Sequence, residues 1–255
     1  MGRKKYLTVV KNRSKNNRST IKASVVKNEL ITFILLCDMP GHRMKSYGST
    51  SLVEINGKKL IDIQIEAIKS KFKNYELIIC TGFDSENLYK YIRINHAKDN
   101  IRFIENQLFH NTNSCESLRL CLNNIRNHKV FILDGSLIFK STIFDNIKLD
   151  HNFIIIENDT KDNLEIGVNI NEYNLVEHMS FGATLTWSEI LFLSETKTID
   201  CMKHLLCNID YKNKFIFEAI NDIINMKHNI AYIKNQHYPI YKINSIKSYR
   251  DIKRF

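Results

Sequence analysis

Several absences bound this 255-residue chain before any motif is read. No apolar run approaches the ~20 residues that a membrane-spanning helix needs, and the longest, near Ile31–Cys37 and Phe153–Ile156, have the length of strands. Met1–Lys5 is charged and no apolar segment follows it, so a secretory signal is not expected, and Tyr6 stands where myristoylation after Gly2 wants Ser or Thr. The six cysteines (Cys37, Cys80, Cys115, Cys121, Cys201, Cys207) form no C-x-x-C pair, which favours a reducing intracellular setting. No two of the nine histidines share a metal-ligand spacing, so a zinc site is not expected. Glycine and proline are scarce (8 and 2 copies) while Asn, Ile and Lys abound; that reads as the coding bias of an AT-rich genome, viral or parasite-like, with no physical message. No internal repeat and no domain-splitting linker is apparent.

What is present is unevenly spread. Arg3, Lys4, Lys5, Lys11, Arg13, Lys15, Arg18, Lys22 and Lys27 all precede the first acid, Glu29. The whole chain carries +10, so the remainder holds only about +1. The expectation is a basic arm, residues 1–30, on a near-neutral body, residues 31–255. Such an arm is either a solvated extension, a binder of a phosphate polymer, nucleic acid or acidic protein surface, or a targeting peptide. Tyr6 is its only aromatic, which speaks against a single-strand binder that stacks bases.

From residue 31 the periodicities alternate. Ile31–Cys37 is continuously apolar, as a parallel strand covered on both faces should be. Residues 58–72 place Leu60, Ile63, Ile65, Ala67 and Ile68 on a helical stripe. Further strands are predicted at 75–81, 101–104, 130–133 and 153–156. Helices follow Asp84 or Ser85, Ser114 and Ser141 as caps. In the second half, 165–170 and 175–179 read as paired strands, 183–193 as strand passing into helix, and 215–226 as a helix. Strands at 231–233 and 239–243 and a terminal helical turn at 249–254 complete the pattern. The sum is an α/β chain with a mostly parallel Rossmann-like sheet flanked by helices.

The order of several segments resembles the sugar-phosphate and choline-phosphate nucleotidyltransferases, over about residues 31–253. The opening strand is followed by Gly41-His-Arg43, then by Leu52–Gly57 and a helix. Ile78-Ile-Cys-Thr-Gly82 comes next, and Asn113-Ser114-Cys-Glu-Ser117-Leu118 looks like the family's Asn-Ser-x-x-Ser-Leu segment. Val130–Phe139 looks like the strand carrying the first metal carboxylate, and the tail from Tyr241 looks like the closing Glu-Ile-Asp pattern. Each motif is weak alone; their order is the signal. The resemblance implies a nucleotide-diphospho-sugar transferase type of fold, with a Gly-x-Gly-x-x-Arg type loop, a Pro-Lys pair and two metal-binding aspartates.

Nucleotidyl transfer needs backbone amides and cations around the phosphates and carboxylates around the metal. Laid onto this sequence, the first loop glycine falls at Met39, the lysine at Thr50, and the two aspartates at Ser136 and Asn244. A Cβ at position 39 crowds an approaching phosphate. Serine and asparagine are poor ligands for a hard divalent cation. Gly41, Arg43, Gly57, Asn113, Ser114 and Ser117 match the family near the nucleotide. Capping and turn roles explain the serines and a surface ion pair explains Arg43 equally well. Asp134 and Asp38 are the fallback carboxylates, and Lys45, Lys58 and Lys59 flank the loop.

The expectation is therefore a catalytically inactive nucleotidyltransferase-like protein. It would need no cofactor and serve as a structural or interaction component of a larger assembly, such as a viral particle. Its partners would be assembly proteins and a phosphate polymer or nucleic acid met by the arm, with no membrane, in the cytoplasm or a virion. The alternative is an active magnesium-dependent enzyme making an NDP-sugar or CDP-choline-like product.

Overall fold

The computed structural model describes residues 29–157, 165–236 and 239–252. The basic positions from Arg3 to Lys27 lie outside the described residues, as does the expectation attached to them.

In the first half, β1 (Ile31–Leu36) leads through a long loop to a hairpin of β2 (Glu54–Ile55) and β3 (Lys58–Lys59). There follow α1 (Leu60–Lys71), β4 (Tyr75–Thr81), α2 (Ser85–Asn95), β5 (Ile101–Glu105), α3 (Ser114–Leu122), β6 (Val130–Asp134) and β7 (Leu137–Ile138). The second half holds β8 (Phe153–Glu157), β9 (Ile166–Ile170), β10 (Val176–Phe181), β11 (Leu185–Leu193), α4 (Thr196–Leu206), α5 (Ile216–Asn225), β12 (Ala231–Lys234), β13 (Tyr241–Lys242) and α6 (Ile246–Ile252).

The main sheet runs β10-β9-β11-β6-β1-β4-β5, with β8 on the other edge of β11 and β12 beside β8. Strands β5, β4, β1 and β6 are parallel, as the apolar run of β1 predicts for that strand. β11 is antiparallel to β6, β8 and β9. Period two sends alternate residues of β1 to opposite faces: Ile34 joins α3, α4 and α5, while Phe33 and Leu35 join α1 and α2. On the second face Phe131 is the hub. It stacks on Phe33 at 4.9 Å between centroids and meets Phe192 at 4.5 Å and Phe144 at 5.4 Å. Burying each such ring stabilises the fold by about 1.5–3 kcal/mol.

The structure departs from the expectations at identifiable places. Residues 185–193 are strand throughout. Ile190, Leu191, Phe192 and Leu193 are buried with neighbours on both edges, so no amphipathic stripe exists to make a helix. The helix comes later, as α4, whose Ile199, Met202 and Leu206 recur at i, i+3 and i+7. α3 is capped by Asn113, whose Oδ1 accepts from Ser114 N at 2.9 Å, and not by Ser114. In α1 the fully buried stripe includes Ile61 and Gln64, with Ile63 half-buried. Gln64 Nε2 donates to Leu137 O at 2.8 Å, which pins the turn after β6, while its Oε1 is buried with no partner among the described residues. The closing helix begins at Ile246, three residues earlier than expected.

Among the described residues no helix is long and apolar enough to cross a membrane.

Candidate functional site

The chain runs from β1 outward through β4 to β5, then returns to place β6 on the other side of β1. That reversal opens a crevice beyond the carboxyl ends of β1 and β6, where α/β sheets bind ligands. A cavity of about 490 Å³ lies there, lined by the ends of both strands, by β11 and by the tail around β13.

Two carboxylates and one ammonium meet in it. Asp134 is the last residue of β6, opposite Leu36 in register, and lines the cavity. Glu189 comes from β11, where the pairing to β8 jumps from Trp187↔Ile156 to Leu191↔Ile154. That bulge holds Glu189 at φ 55°, in the left-handed region that costs a non-glycine residue roughly 1–2 kcal/mol. Lys242 comes from β13, which pairs with β7 just after the Asp134 turn. Its Nζ donates to Glu189 Oε1 at 2.5 Å and lies 3.4 Å from Asp134 Oδ2. Ser136 closes the other side, its N–H and hydroxyl both donating to Asp134 Oδ1 at 2.7 and 2.5 Å.

The electrostatics follow from this geometry. Burial pushes the Glu189 carboxyl up to about 7, against the pull of Lys242, and Asp134 adds to the rise. Burial alone would also raise Asp134, but Lys242 and the two Ser136 donors outweigh it and hold that carboxyl below the usual range. Burial opposes the Lys242 charge, yet its two carboxylate neighbours prevail and raise it, so it is an ammonium at neutral pH. Asp38, almost fully buried at the end of β1, is raised by burial despite a 2.6 Å hydrogen bond from Ser117 Oγ.

The loop after β1 is bonded inward. Gly41 N donates to Thr50 Oγ1 at 3.1 Å, and His42 N donates to Asn244 O at 2.7 Å. A Cβ on Gly41 would lie 2.7 Å from Met44 Sδ and 3.2 Å from Asn244 O, so packing against the tail is reason enough for this glycine. Met39 is half exposed on the loop. The N-terminus of α3 is likewise engaged: besides the Asn113 cap, Cys115 N donates to Lys214 O at 3.2 Å, and Ser114 Oγ accepts from Ile216 N at 3.1 Å.

Of the positions singled out in the sequence, Met39, Gly41, Thr50, Asn113, Ser114, Asp134, Ser136, Asn244 and Asp38 all line the cavity. Ser117 stands behind Asp38 as its donor, held in turn by Asn106 Nδ2 at 2.9 Å. Arg43 is exposed, has φ 57° and does not line the cavity. Gly57, with φ 81°, forms the tight β2–β3 turn together with Asn56 at φ 49° and is also outside it. Lys58 and Lys59 pair on the surface with Glu66 and Glu54. Lys45 is exposed. Sequence reasoning missed Glu189, Lys242 and Ser188. The Ser188 hydroxyl is buried at the cavity with no hydrogen-bond partner among the described residues. The one available signal was an acid, Glu189, interrupting an otherwise apolar run.

The donor set does not fit a divalent metal. Both oxygens of Asp134 are engaged, Glu189 is bonded to an ammonium, and Ser136 and Asn244 on the cavity wall are neutral. Among the described residues no group of three or more His, Cys, Asp or Glu side chains is placed to hold a metal ion.

No protein-family model and no curated protein matches the sequence. Solved structures do match the fold. One is a CTP:phosphocholine cytidylyltransferase from Streptococcus pneumoniae, with TM-score 0.71 and 18% identity, covering 88% of this chain and 98% of that one. Another is the inositol-1-phosphate CTP transferase from T. maritima, with TM-score 0.71 and 11% identity, covering 89% and 96%. A third is a nucleoside-diphosphate-sugar pyrophosphorylase from Vibrio cholerae RC9, with TM-score 0.70 and 11% identity, covering 88% and 100%. At such identities the likeness establishes a shared fold.

Proposed function

On the nucleotidyltransferase fold that this chain carries, we propose a protein that no longer transfers nucleotides. It acts as a structural or interaction component of a larger assembly, such as a viral particle, and its basic arm fastens it there. The observation that carries the loss of catalysis is the inward bonding of the loop after β1. A phosphate-cradling loop needs free amides turned toward the ligand. Here the Gly41 and His42 amides are committed to Thr50 Oγ1 and Asn244 O. The carboxyl groups of Asp38, Asp134, Glu157, Glu165 and Glu189 line the same cavity, and Lys242 is the one ammonium among its described lining residues. A triphosphate entering it would meet net negative charge. The arm's role is supported by the nine basic residues that precede Glu29.

One observation favours the alternative of an active transferase making an NDP-sugar or CDP-choline-like product. The cavity is retained, and the unpartnered Ser188 hydroxyl inside it suits a polar occupant. Calorimetric titration of the full chain with CTP and UTP, with and without magnesium, separates the two. No heat of binding in either condition is expected. Magnesium-dependent binding at micromolar strength would overturn the inactive reading.

A further inference from the structure

In the nucleotidyltransferase fold a divalent ion would be gathered by carboxylates at this end of the sheet, and the disagreement between that requirement and the side chains present is informative. Asp134 and Glu189 do converge, from β6 and β11, as a pair of metal ligands would. The point on which they converge is taken by the Lys242 ammonium, 2.5 Å from one and 3.4 Å from the other. Three features show that this is a built arrangement. The bulge in β11 holds Glu189 at a positive φ and aims it into the cavity. The β13–β7 pairing, with Ile243 N donating to Ser136 O at 3.0 Å, delivers Lys242 from the tail. Ser136 occupies the remaining oxygen of Asp134. A second cation at hydrogen-bond distance from the ammonium would be repelled, and no carboxylate oxygen would be vacated to coordinate it.

We propose that the Lys242 ammonium is the resident cation of this cavity, replacing a divalent ion between Asp134 and Glu189 and leaving a latent metal site beneath it. The inference rests on the proposed function only in taking this cavity as the fold's site; it says nothing of whether a nucleotide binds. It accounts for the neutral residues at 136 and 244: with the cation built into the chain, further carboxylates there would have no partner.

The test is metal binding without any nucleotide. Terbium(III) luminescence can be excited through Trp187, the single tryptophan, which lines the cavity. Wild type and Lys242→Arg, both carrying a cation, should give no sensitised emission at sub-millimolar metal. Lys242→Met should bind terbium or manganese at least roughly tenfold more tightly, since two carboxylates are released. Adding Glu189→Gln to Lys242→Met should abolish the gain. Sensitised emission from the wild type as strong as from Lys242→Met, or no gain in a folded Lys242→Met, overturns the proposal. Should Lys242→Met fail to fold, manganese broadening of the Trp187 indole resonance in wild type and Lys242→Arg decides. Broadening in either overturns the proposal and its absence in both supports it. Metal-free binding of CTP would overturn the inactive reading and leave this inference standing, whereas metal binding by the wild type overturns this inference whatever the nucleotide does.

Discussion

Replacing Glu189 by glutamine should stabilise the protein at pH 8 and change it least at pH 5. The folded-state carboxyl is raised to about 7 from an ordinary 4.5, so the folded protein binds the Glu189 proton more tightly than the unfolded chain does. A raised acid contributes stability that is complete below its unfolded value and is lost as pH rises through its folded value. The window is therefore pH 4.5 to 7. At 1.36 kcal/mol per unit the ceiling is roughly 3 kcal/mol. The side chain is 24% exposed and water screens part of the charge, which brings the expected difference to about 1–2 kcal/mol. Glutamine keeps the shape and an oxygen for Lys242 to donate to, and adds no backbone strain that Glu189 lacks. Urea unfolding of both proteins at pH 5, 6, 7 and 8 measures it: the gap should open with pH, the variant above the wild type. A gap that is flat with pH, or a variant less stable at pH 8, would refute the reasoning.

Two further outcomes follow from the geometry. Gly135→Ala would place a Cβ 2.4 Å from Cys37 Sγ and 2.7 Å from Leu36 O, against strand backbone that cannot yield, and should cost about 2–3 kcal/mol in urea unfolding. Burial alone would raise Asp99, but Lys69 at 2.7 Å and His96 at 3.0 Å outweigh it and hold that carboxyl below 3.8. Its stability is present above that value and lost as pH falls through the lower folded one. Asp99→Asn should accordingly cost about 1 kcal/mol at pH 7 and a shrinking amount below pH 3.8, read from unfolding curves at both ends.

The α/β architecture was legible because its strands and helices carry different periods, and β1, β4 and β6 are apolar enough to be read without help. The cavity's loop positions were legible because motif order preserves strand ends: Gly41, Asn113 and Ser114 all line it, while Asp134 was legible only as a fallback carboxylate. Glu189 and Lys242 were not legible, and the reasons are physical. Glu189 reaches the cavity only through a bulge, a defect of pairing between two strands that no local pattern encodes. Lys242 reaches it only because a two-residue strand pairs with another far away in sequence. Arg43 and Gly57 mislead in the opposite direction. Each looks like part of a ligand motif, yet one is an exposed loop residue and the other a hairpin glycine whose φ suffices to explain it.

The hydrogen bonds around this cavity are coupled. Thr50 supplies the oxygen that takes up the Gly41 amide. The Asn244 carbonyl takes up the next amide along, His42, and the same tail carries Lys242 into the carboxylate pair. Ser136 gives both its donors to Asp134. These contacts turn polar groups inward, and the turned groups hold one another. Replacing one residue alone, as in Thr50→Lys, frees a single amide while Asn244 O still holds the next and Lys242 stays between Asp134 and Glu189. Loop, turn and tail close on each other through specific hydrogen bonds, so the loss of one contact leaves the others holding the cavity's form.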